Sequence, residues 1–509
     1  MVPIVERERK YAGPDGFVVP DLAGCGPVAT VAEPVRHELV ADYLDTADLR
    51  LTRGGFSLRR RTGGDDAGWH LKIGRPGGDR MEHRFPAGPD DTDPPAELRS
   101  LIRGATRGRR VRPVARIETS RTEHPLRDAD GRVLAVLAED AVRGHDLARD
   151  RRHSWHEIEV ELVDGDDRLL AEIDTALRNS GARPLGGSKV RTVLADRLAE
   201  TTASTAVPPT VADVVDYART QRDALILADP AARQGDEGAV HGMRVASRRL
   251  RSTLRTFRGL WDRDTVESLR GELKWLADGL APVRDAHVMS ARLLAAVRAE
   301  PRELVIGPVA ARIQQRFDAD VARAVPKLRR LLQSSRYVTL LNRLDELLDA
   351  PPPHPVRRRW VDSRIRKSLR RADGMLDAAI DSLPPPADQS TGGPGGADGS
   401  DAAFHEARKA YKRARYAIEV RRASRGPEIR ELRKRLKELQ DLLGGHQDAA
   451  ITREVLRRYA MRAFRDGENT FTYGLLHARQ AAAADQLLRA VPSARDEVRR
   501  RRVRRWLER

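Results

Sequence analysis

Cysteine, lysine, aromatic side chains and long apolar runs are all scarce in this chain. Its 509 residues include a single cysteine, Cys25. Internal disulfides and a cysteine-ligated metal cluster are therefore excluded, and a reducing, cytoplasmic setting is expected. No run of about 18 apolar residues occurs, so no membrane-spanning helix is expected. The opening MVPIVERERKYAG carries acidic residues and lacks the apolar segment of a secretory signal. Aromatics make up 4% of the residues, which leaves few platforms on which nucleic-acid bases could stack. Zinc-finger spacing, RNP aromatics and a heptad zipper are also missing, so sequence-specific nucleic-acid binding is not expected. Lysine supplies only 10 of the 93 basic residues, and the first 200 residues hold just Lys10, Lys72 and Lys189. A lysine kept against that bias points to a site needing a compact ammonium rather than a planar guanidinium.

Charge is abundant and unevenly placed. The net charge is +18, with residues 1–200 at −2 and residues 201–509 at +20. The second part is a polycation suited to a polyanion: nucleic acid, acidic membrane or polyphosphate. The plainer alternative is an arginine-rich solvated surface.

Residues 1–200 alternate strand-like and turn-like segments. VERERKY, FSLRRRT, WHLKI, RMEHRF, VLAVLAED and HEIEVELV read as strands, separated by clusters such as GGDDAG and GPDDTDPP. DRLLAEIDTALRNSG reads as a helix ending at Gly181, and residues 201–209 as a linker. From 210 onward apolar residues recur at helical spacing. The stretch 383–402, LPPPADQSTGGPGGADGSDA, interrupts this pattern and is expected to be disordered.

The two helical halves repeat. His241, Arg244, Arg248, Arg249 and Arg251 align with His405, Arg408, Lys412, Arg413 and Arg415 at an offset of 164. LKWLADGLAPVRDAHV, starting at 273, aligns with LKELQDLLGGHQDAAI at an offset of 163. Two blocks in nearly one register imply an internally duplicated helical bundle.

Period-two alternation puts Glu6, Glu8 and Lys10 on one strand face. The same holds for Arg59 and Arg61, for Arg80, Glu82 and Arg84, and for Glu157, Glu159 and Glu161. A charged face turned to water is the ordinary explanation. Here, though, an acidic triplet and a basic pair segregate to different strands. Closed inward, such a sheet would need ions or a charged ligand in its lumen. Carboxylates suit Mg²⁺ or Mn²⁺, and arginine and lysine suit phosphoryl oxygens.

These residues resemble the CYTH family of triphosphate tunnel metalloenzymes. Its ExExK signature stands here as Glu6-Arg-Glu8-Arg-Lys10. YLDTADLRLTRGGFSLRRRT resembles the family's Asp-Thr and LRxR segment, with Asp45, Arg59 and Arg61. Lys72 in HLKI, the acidic strand HEIEVEL and the pair Ser188-Lys189 complete the match. The resemblance implies an eight-stranded antiparallel tunnel that hydrolyses triphosphate with Mg²⁺ or Mn²⁺. It implies metal binding by Glu6, Glu8, Glu157 and Glu159. Lys10, Arg59, Arg61, Lys72, Arg84 and Arg121 would hold phosphate, with Lys72 and Lys189 as catalytic lysines. Lys189 would sit near the attacking water or terminal phosphate. Asp140 and Glu161 could be functional or structural.

In the second part, His241, Arg244, Arg248, Arg251 and Arg255 form one cationic helical stripe, while Val240, Met243, Leu250 and Leu254 remain for packing. The second copy runs His405, Arg408, Lys412 and Arg415, then departs with Glu419. This part resembles the CHAD domain, through its two HxxR-x3-[RK]R-x-R helices and its LKxLxDxL segments. The resemblance implies paired four-helix bundles around a groove for long-chain polyphosphate, lined by His241, Arg244, Arg248, Arg251, His405, Arg408, Lys412 and Arg415. Asp285 and Asp448 would orient arginines or cap helices.

The expected architecture is therefore α+β and multidomain: a β tunnel over 1–200, a linker over 201–209 and an all-α unit over 210–509. The expected function is inorganic triphosphatase activity coupled to polyphosphate binding, in the cytoplasm or at polyphosphate granules. The alternatives are a non-catalytic granule protein, a nucleoside or thiamine triphosphatase, and an adenylate cyclase.

Overall fold

The computed structural model describes residues 4–14, 16–74, 79–88, 91–202, 207–350, 356–357, 359–383, 397–423 and 426–507. It divides into two compact units, Met1–Ser204 and Thr205–Arg509.

The first unit contains strands β1 (Ile4–Glu6), β2 (Glu8–Ala12), β3 (Thr30–Val31), β4 (Val35–Asp45), β5 (Phe56–Thr62), β6 (Gly68–Gly74), β7 (Arg80–Phe85), β8 (Arg112–Arg127), β9 (Val133–Asp146), β10 (Arg151–Leu162) and β11 (Arg183–Pro184). Its helices are α1 (Arg50–Arg53), α2 (Ala96–Thr106), α3 (Asp167–Asn179), α4 (Lys189–Val193) and α5 (Ala195–Thr202). The hydrogen-bonded order is β1-β7-β6-β5-β4-β8-β9-β10-β2-β11, with the short β3 on β8. Both ends of that path lead to one N-terminal segment: Glu6 pairs with Arg80, and two residues later Glu8 pairs with Glu161. Counting β1 and β2 as one strand broken at Arg7, eight antiparallel strands close on themselves. Closure leaves no long free edge and turns one face of every strand inward.

Outside the barrel, α3 lays Leu169, Leu170, Ile173 and Leu177 against Tyr11, Leu137, Ile158 and Val160. Asp166 caps α3 by accepting from the Leu169 amide at 2.9 Å. The helix ends just before Gly181, whose φ of +98° favours glycine. Toward one end of the barrel the inward positions turn apolar, and Ala41, Tyr43, Ile117 and Val142 pack with Val190, Val193 and Leu194. Helix α4 thus plugs that end. Its approach requires Gly144, where a Cβ would collide with Val193.

The second unit is helical: α6 (Ala212–Arg233), α7 (Glu237–Thr256), α8 (Arg263–Ala299), α9 (Val309–Gln333), α10 (Ser335–Asp349), α11 (Trp360–Asp381), α12 (Ala397–Glu419), α13 (Pro427–Arg465), α14 (Phe471–Arg499) and α15 (Arg501–Arg504). The duplication is visible in the order. In α6-α7-α8-α9 and again in α11-α12-α13-α14 each helix packs on the next, and a single 3₁₀ turn separates the second helix from a long third. The copies meet along α7 and α12. They also share a core, in which Leu293, Ile313 and Phe317 pack with Leu456, Tyr473 and Leu476.

Two expectations need correcting. Helix α12 begins at Ala397, inside the stretch expected to be disordered, because the alanines of ADGSDAAFHEA extend the helix N-terminally. Residues 384–396 of that stretch lie outside the described residues. Helix α5 likewise runs to Thr202, into the expected linker.

Candidate functional site

Strand alternation carries the charged side chains into the barrel. The lumen is lined by Glu6, Glu8, Lys10, Arg59, Arg61, Lys72, Arg80, Arg84, Arg121, Glu159, Glu161 and Lys189, with Tyr43 and Ser57 among them. Ion-paired side chains leave about 80 Å³ between them here, and an adjoining cavity of about 290 Å³ opens beside Arg61, Arg84, Arg121 and Glu161.

The most acidic point is formed by Asp140 on β9 and Glu157 and Glu159 on β10. All three are buried, with one oxygen of each within 4.8 Å of the others. Their register explains the meeting: Asp140 lies opposite Glu157, and Glu159 follows two residues on. Lys189, the first residue of α4, reaches in from the plugged end. Its ammonium lies 2.8 Å from Asp140, 2.5 Å from Glu157 and 2.7 Å from Glu159. Arg121 clamps Asp140 through two hydrogen bonds of 2.8 and 2.7 Å and donates to Glu159 at 2.5 Å. Lys10 pairs with Glu159 as well. Burial opposes ionisation of Glu159, but Lys10, Lys189 and Arg121 outweigh it and hold the carboxyl well below its usual range. Burial also acts against Lys189, yet Glu159, Asp140 and Glu157 keep the ammonium above its ordinary value.

Glu6 and Glu8 stand apart from this triad. Glu6 pairs with Lys72 at 2.7 Å and Glu8 with Arg80 at 2.9 Å. Burial first, and then the neighbouring Glu82, push Glu6 up to about 7 against the pull of Lys72. Arg61 is held by Asp66 at 2.6 Å, and Arg84 pairs with Glu82. Arg59 has no carboxylate within ion-pair distance among the described residues; it donates to the Tyr43 hydroxyl at 3.3 Å. Every cation expected to hold phosphate thus faces this chamber.

Sequence reasoning left Asp140 and Glu161 undecided. Asp140 completes the triad, and Glu161 lines the lumen, with its carboxyl raised by burial. Arg80 and Glu82 share the charged face by alternation without a sequence signal for their roles, and His70 in WHLKI carries none either. Asp45 is structural. Its buried carboxylate accepts from the amides of Thr46, Leu51 and Thr52 and from the Thr52 hydroxyl, at 2.7 to 2.9 Å, tying β4 to α1.

In the helical unit the two stripes come together where α7 meets α12. Arg248 donates to the Tyr416 hydroxyl at 2.7 Å, and Arg248, Arg249 and Arg415 lie over the Tyr416 ring. Lys412 sits among Arg408, Arg248 and Arg415, with Asp448 as the opposing charge. Burial, then Arg408 and Arg248, push its ammonium down to about 7. A second cluster gathers Arg251, Arg255, Arg270, Arg371 and Arg413. There burial, then Arg255 and Arg371, lower Arg413 to about 10. Arg270, Arg292 and Arg371 lie outside the two stripes and come from α8 and α11. Asp285 and Asp448 are not caps. They lie inside α8 and α13, where Asp285 pairs with Arg244, and Asp448 pairs with Arg292 at 2.6 Å and Arg408 at 3.7 Å. His241 and His405 open their stripes. Burial lowers both, helped by Arg284 at the first and Lys409 at the second. Glu419, which breaks the second stripe, accepts from the Tyr217 hydroxyl at 2.7 Å and pairs with Arg249.

Among the described residues, no helix is long and apolar enough to cross a membrane. The CYTH domain family matches residues 5–193 and the CHAD domain family residues 216–457. The uncharacterized protein Rv2226 of Mycobacterium tuberculosis (strain ATCC 25618 / H37Rv) is 34% identical over 97% of this chain and 98% of its own length. MT2285 of strain CDC 1551 / Oshkosh matches to the same extent. Among solved structures, PptA from Streptomyces chartreusis has 24% identity and a TM-score of 0.46, over 56% of this chain and 99% of its own. The CHAD domain from the plant Ricinus communis has 24% identity and a TM-score of 0.40, over 56% of this chain and 88% of its own. With both domains matched in order and relatives aligned almost end to end, the chain belongs to the family of proteins that join an N-terminal CYTH domain to a C-terminal CHAD domain.

Proposed function

We propose that the tunnel hydrolyses inorganic tripolyphosphate with a divalent metal and that the helical unit grips long-chain polyphosphate. CYTH proteins are typically metal-dependent triphosphatases or cyclases. The observation that carries the hydrolytic reading is the buried triad Asp140, Glu157 and Glu159 beside a chamber into which Lys10, Arg59, Arg61, Lys72, Arg84, Arg121 and Lys189 all face. Its all-oxygen donors fit Mg²⁺ or Mn²⁺. The triad would hold the ion; Glu6 and Glu8, paired with Lys72 and Arg80, stand outside it. A bound ion supplies positive charge that polarises phosphoryl oxygens.

The remaining work belongs to the chain's own cations. Lys10, Arg59, Arg61, Lys72, Arg84 and Arg121 would bind the phosphate oxygens in turn, orienting the chain and offsetting charge as the terminal bond breaks. Arg59, unburdened by a carboxylate, would bind without first giving up an ion pair. Lys189 would neutralise the terminal phosphoryl group or orient the attacking water. The plug of α4 keeps bulk water from that end.

For the helical unit, support comes from its +20 charge and the two cationic clusters at the α7–α12 seam. Phosphate release from tripolyphosphate, ATP and thiamine triphosphate, with and without Mg²⁺ or Mn²⁺, tests the tunnel. Glu157→Gln and Glu159→Gln should abolish release, and a preference for ATP would move the reading to a nucleotidase. Titrating polyphosphate into the full chain at several salt concentrations tests the groove. Neutralising Arg248, Arg408 and Lys412 should cut the salt slope by on the order of one unit per lost contact. An equal loss on neutralising Arg500, Arg501 and Arg502 would reduce the binding to diffuse attraction.

A further inference from the structure

One buried side chain in the tunnel has no part in the chemistry above. His70 is 1% exposed and stands on β6 in the lumen-facing row, directly between Arg59 on β5 and Arg84 on β7. Its ring does not line the chamber. It lies beneath the cations and spans two oxygen acceptors. Nδ1 is 2.8 Å from a Glu82 carboxylate oxygen, and Nε2 is 2.7 Å from the backbone carbonyl of Asp66.

Both of those residues hold phosphate-facing cations. Glu82, 1% exposed, pairs with Arg84 and lies 3.8 Å from Lys72. Asp66 sits in the turn between β5 and β6, and both its carboxylate oxygens lie 2.6 Å from one Arg61 nitrogen. The ring therefore joins two anchors that between them carry three of the tunnel's cations. Without it, the buried Glu82 carboxylate would lose a hydrogen bond it cannot recover from water. The Asp66 turn would lose its tie to the sheet, and Arg61 would move with it. Long cationic side chains lose rotamer freedom when they close on a ligand, and anchoring them beforehand removes that cost from binding.

We propose that His70 is a positioning residue: by cross-linking Glu82 to the Asp66 turn it holds Arg61, Lys72 and Arg84 at a fixed spacing toward the lumen. The inference rests on the triphosphate reading of the tunnel. None of its contacts reaches the triad on β9 and β10, so the two halves of the site should respond separately.

The test uses the full chain with His70→Leu, His70→Gln and Asp66→Ala. Calorimetry follows tripolyphosphate binding in chelator and, separately, Mn²⁺ binding; steady-state kinetics gives kcat and KM. His70→Leu should weaken tripolyphosphate binding and raise KM by roughly tenfold, with kcat nearly unchanged, as expected for lost uniform binding. Mn²⁺ affinity should stay at the wild-type value. His70→Gln, which can still donate to one anchor, should recover part of the loss, and Asp66→Ala should show a smaller loss through Arg61 alone. A wild-type chain that binds no tripolyphosphate would defeat the triphosphate reading and this inference with it. Wild-type binding matched by His70→Leu, or by both His70→Gln and Asp66→Ala if the leucine variant does not fold, would overturn the inference alone. Loss of tripolyphosphate and Mn²⁺ binding together would also overturn it, because the ring would then merely support the barrel.

Discussion

Replacing Lys189 with methionine removes a positive charge from the most acidic point of the tunnel while keeping most of the side chain's volume. The ammonium is within 2.8 Å of Asp140, Glu157 and Glu159, and the side chain is 8% exposed. After the substitution, Asp140 and Glu159 still have Arg121, but Glu157 keeps one cation, Lys10 at 3.9 Å, beside the Trp155 indole N–H at 2.8 Å. Stranding a buried charge in this way costs about 3–5 kcal/mol. In a unit of 204 residues, at roughly 2–4 °C per kcal/mol, the melting temperature should fall by about 6–20 °C in chelator. A divalent ion bound in the triad would replace the missing charge. At about a hundred times its Kd it returns about 2.7 kcal/mol, or roughly 5–11 °C. In the wild-type chain the ion must first displace the ammonium, so its stabilising effect should be smaller. Thermal unfolding by circular dichroism, with chelator or with Mg²⁺ or Mn²⁺, measures all four values. Equal melting temperatures in chelator would refute the buried-charge argument. An equal metal-induced shift in both proteins would show that ion and lysine do not share the triad.

Asp45→Ala should lower the melting temperature through loss of its buried hydrogen bonds from Thr46, Leu51 and Thr52, at a cost of about 2–4 kcal/mol. KM and kcat of the folded fraction should not change, because Asp45 ties β4 to α1 and does not reach the lumen. Lys412 should make polyphosphate binding pH-dependent. Its ammonium, pushed down to about 7, is charged below that pH and largely neutral above it. Affinity should therefore rise as pH falls through 7, and binding above 7 should take up a proton, seen as a calorimetric heat that depends on the buffer. Lys412→Arg should flatten that pH dependence; a wild-type profile that is already flat would contradict it.

Much of the tunnel was legible because strand alternation is a local rule. Once β10 is a strand, Glu157, Glu159 and Glu161 must share a face, and Ile158 and Val160 must take the other. The ExExK segment was readable for the same reason. Which acids meet was not readable, since that depends on register between strands far apart in sequence. Asp140 joins Glu157 through the β9–β10 pairing, whereas Glu6 and Glu8, on the same face by alternation, are drawn to Lys72 and Arg80. His70 was hidden because a histidine in WHLKI carries no sign of its partners, one of which is a backbone carbonyl. In the helical unit, the repeat revealed the two stripes, but whether Asp285 and Asp448 pair with arginines or cap helices, and which arginines other helices contribute, depended on packing.

By itself, the sequence determined the two-part organisation, the charge asymmetry, the inward-facing strand positions and the duplication of the helices. Each follows from composition, from a period of two or three to four residues, or from self-alignment, and none requires knowing what lies across space. Only the tertiary structure decided that the broken N-terminal strand closes the barrel, that α4 carries Lys189 onto the triad, and that α7 and α12 bring two cationic stripes to one tyrosine. Those outcomes depend on strand register, on the small volume at Gly144 and on side-chain packing at the helix seam. They are contacts between residues distant in the chain, and no local rule in the sequence encodes them.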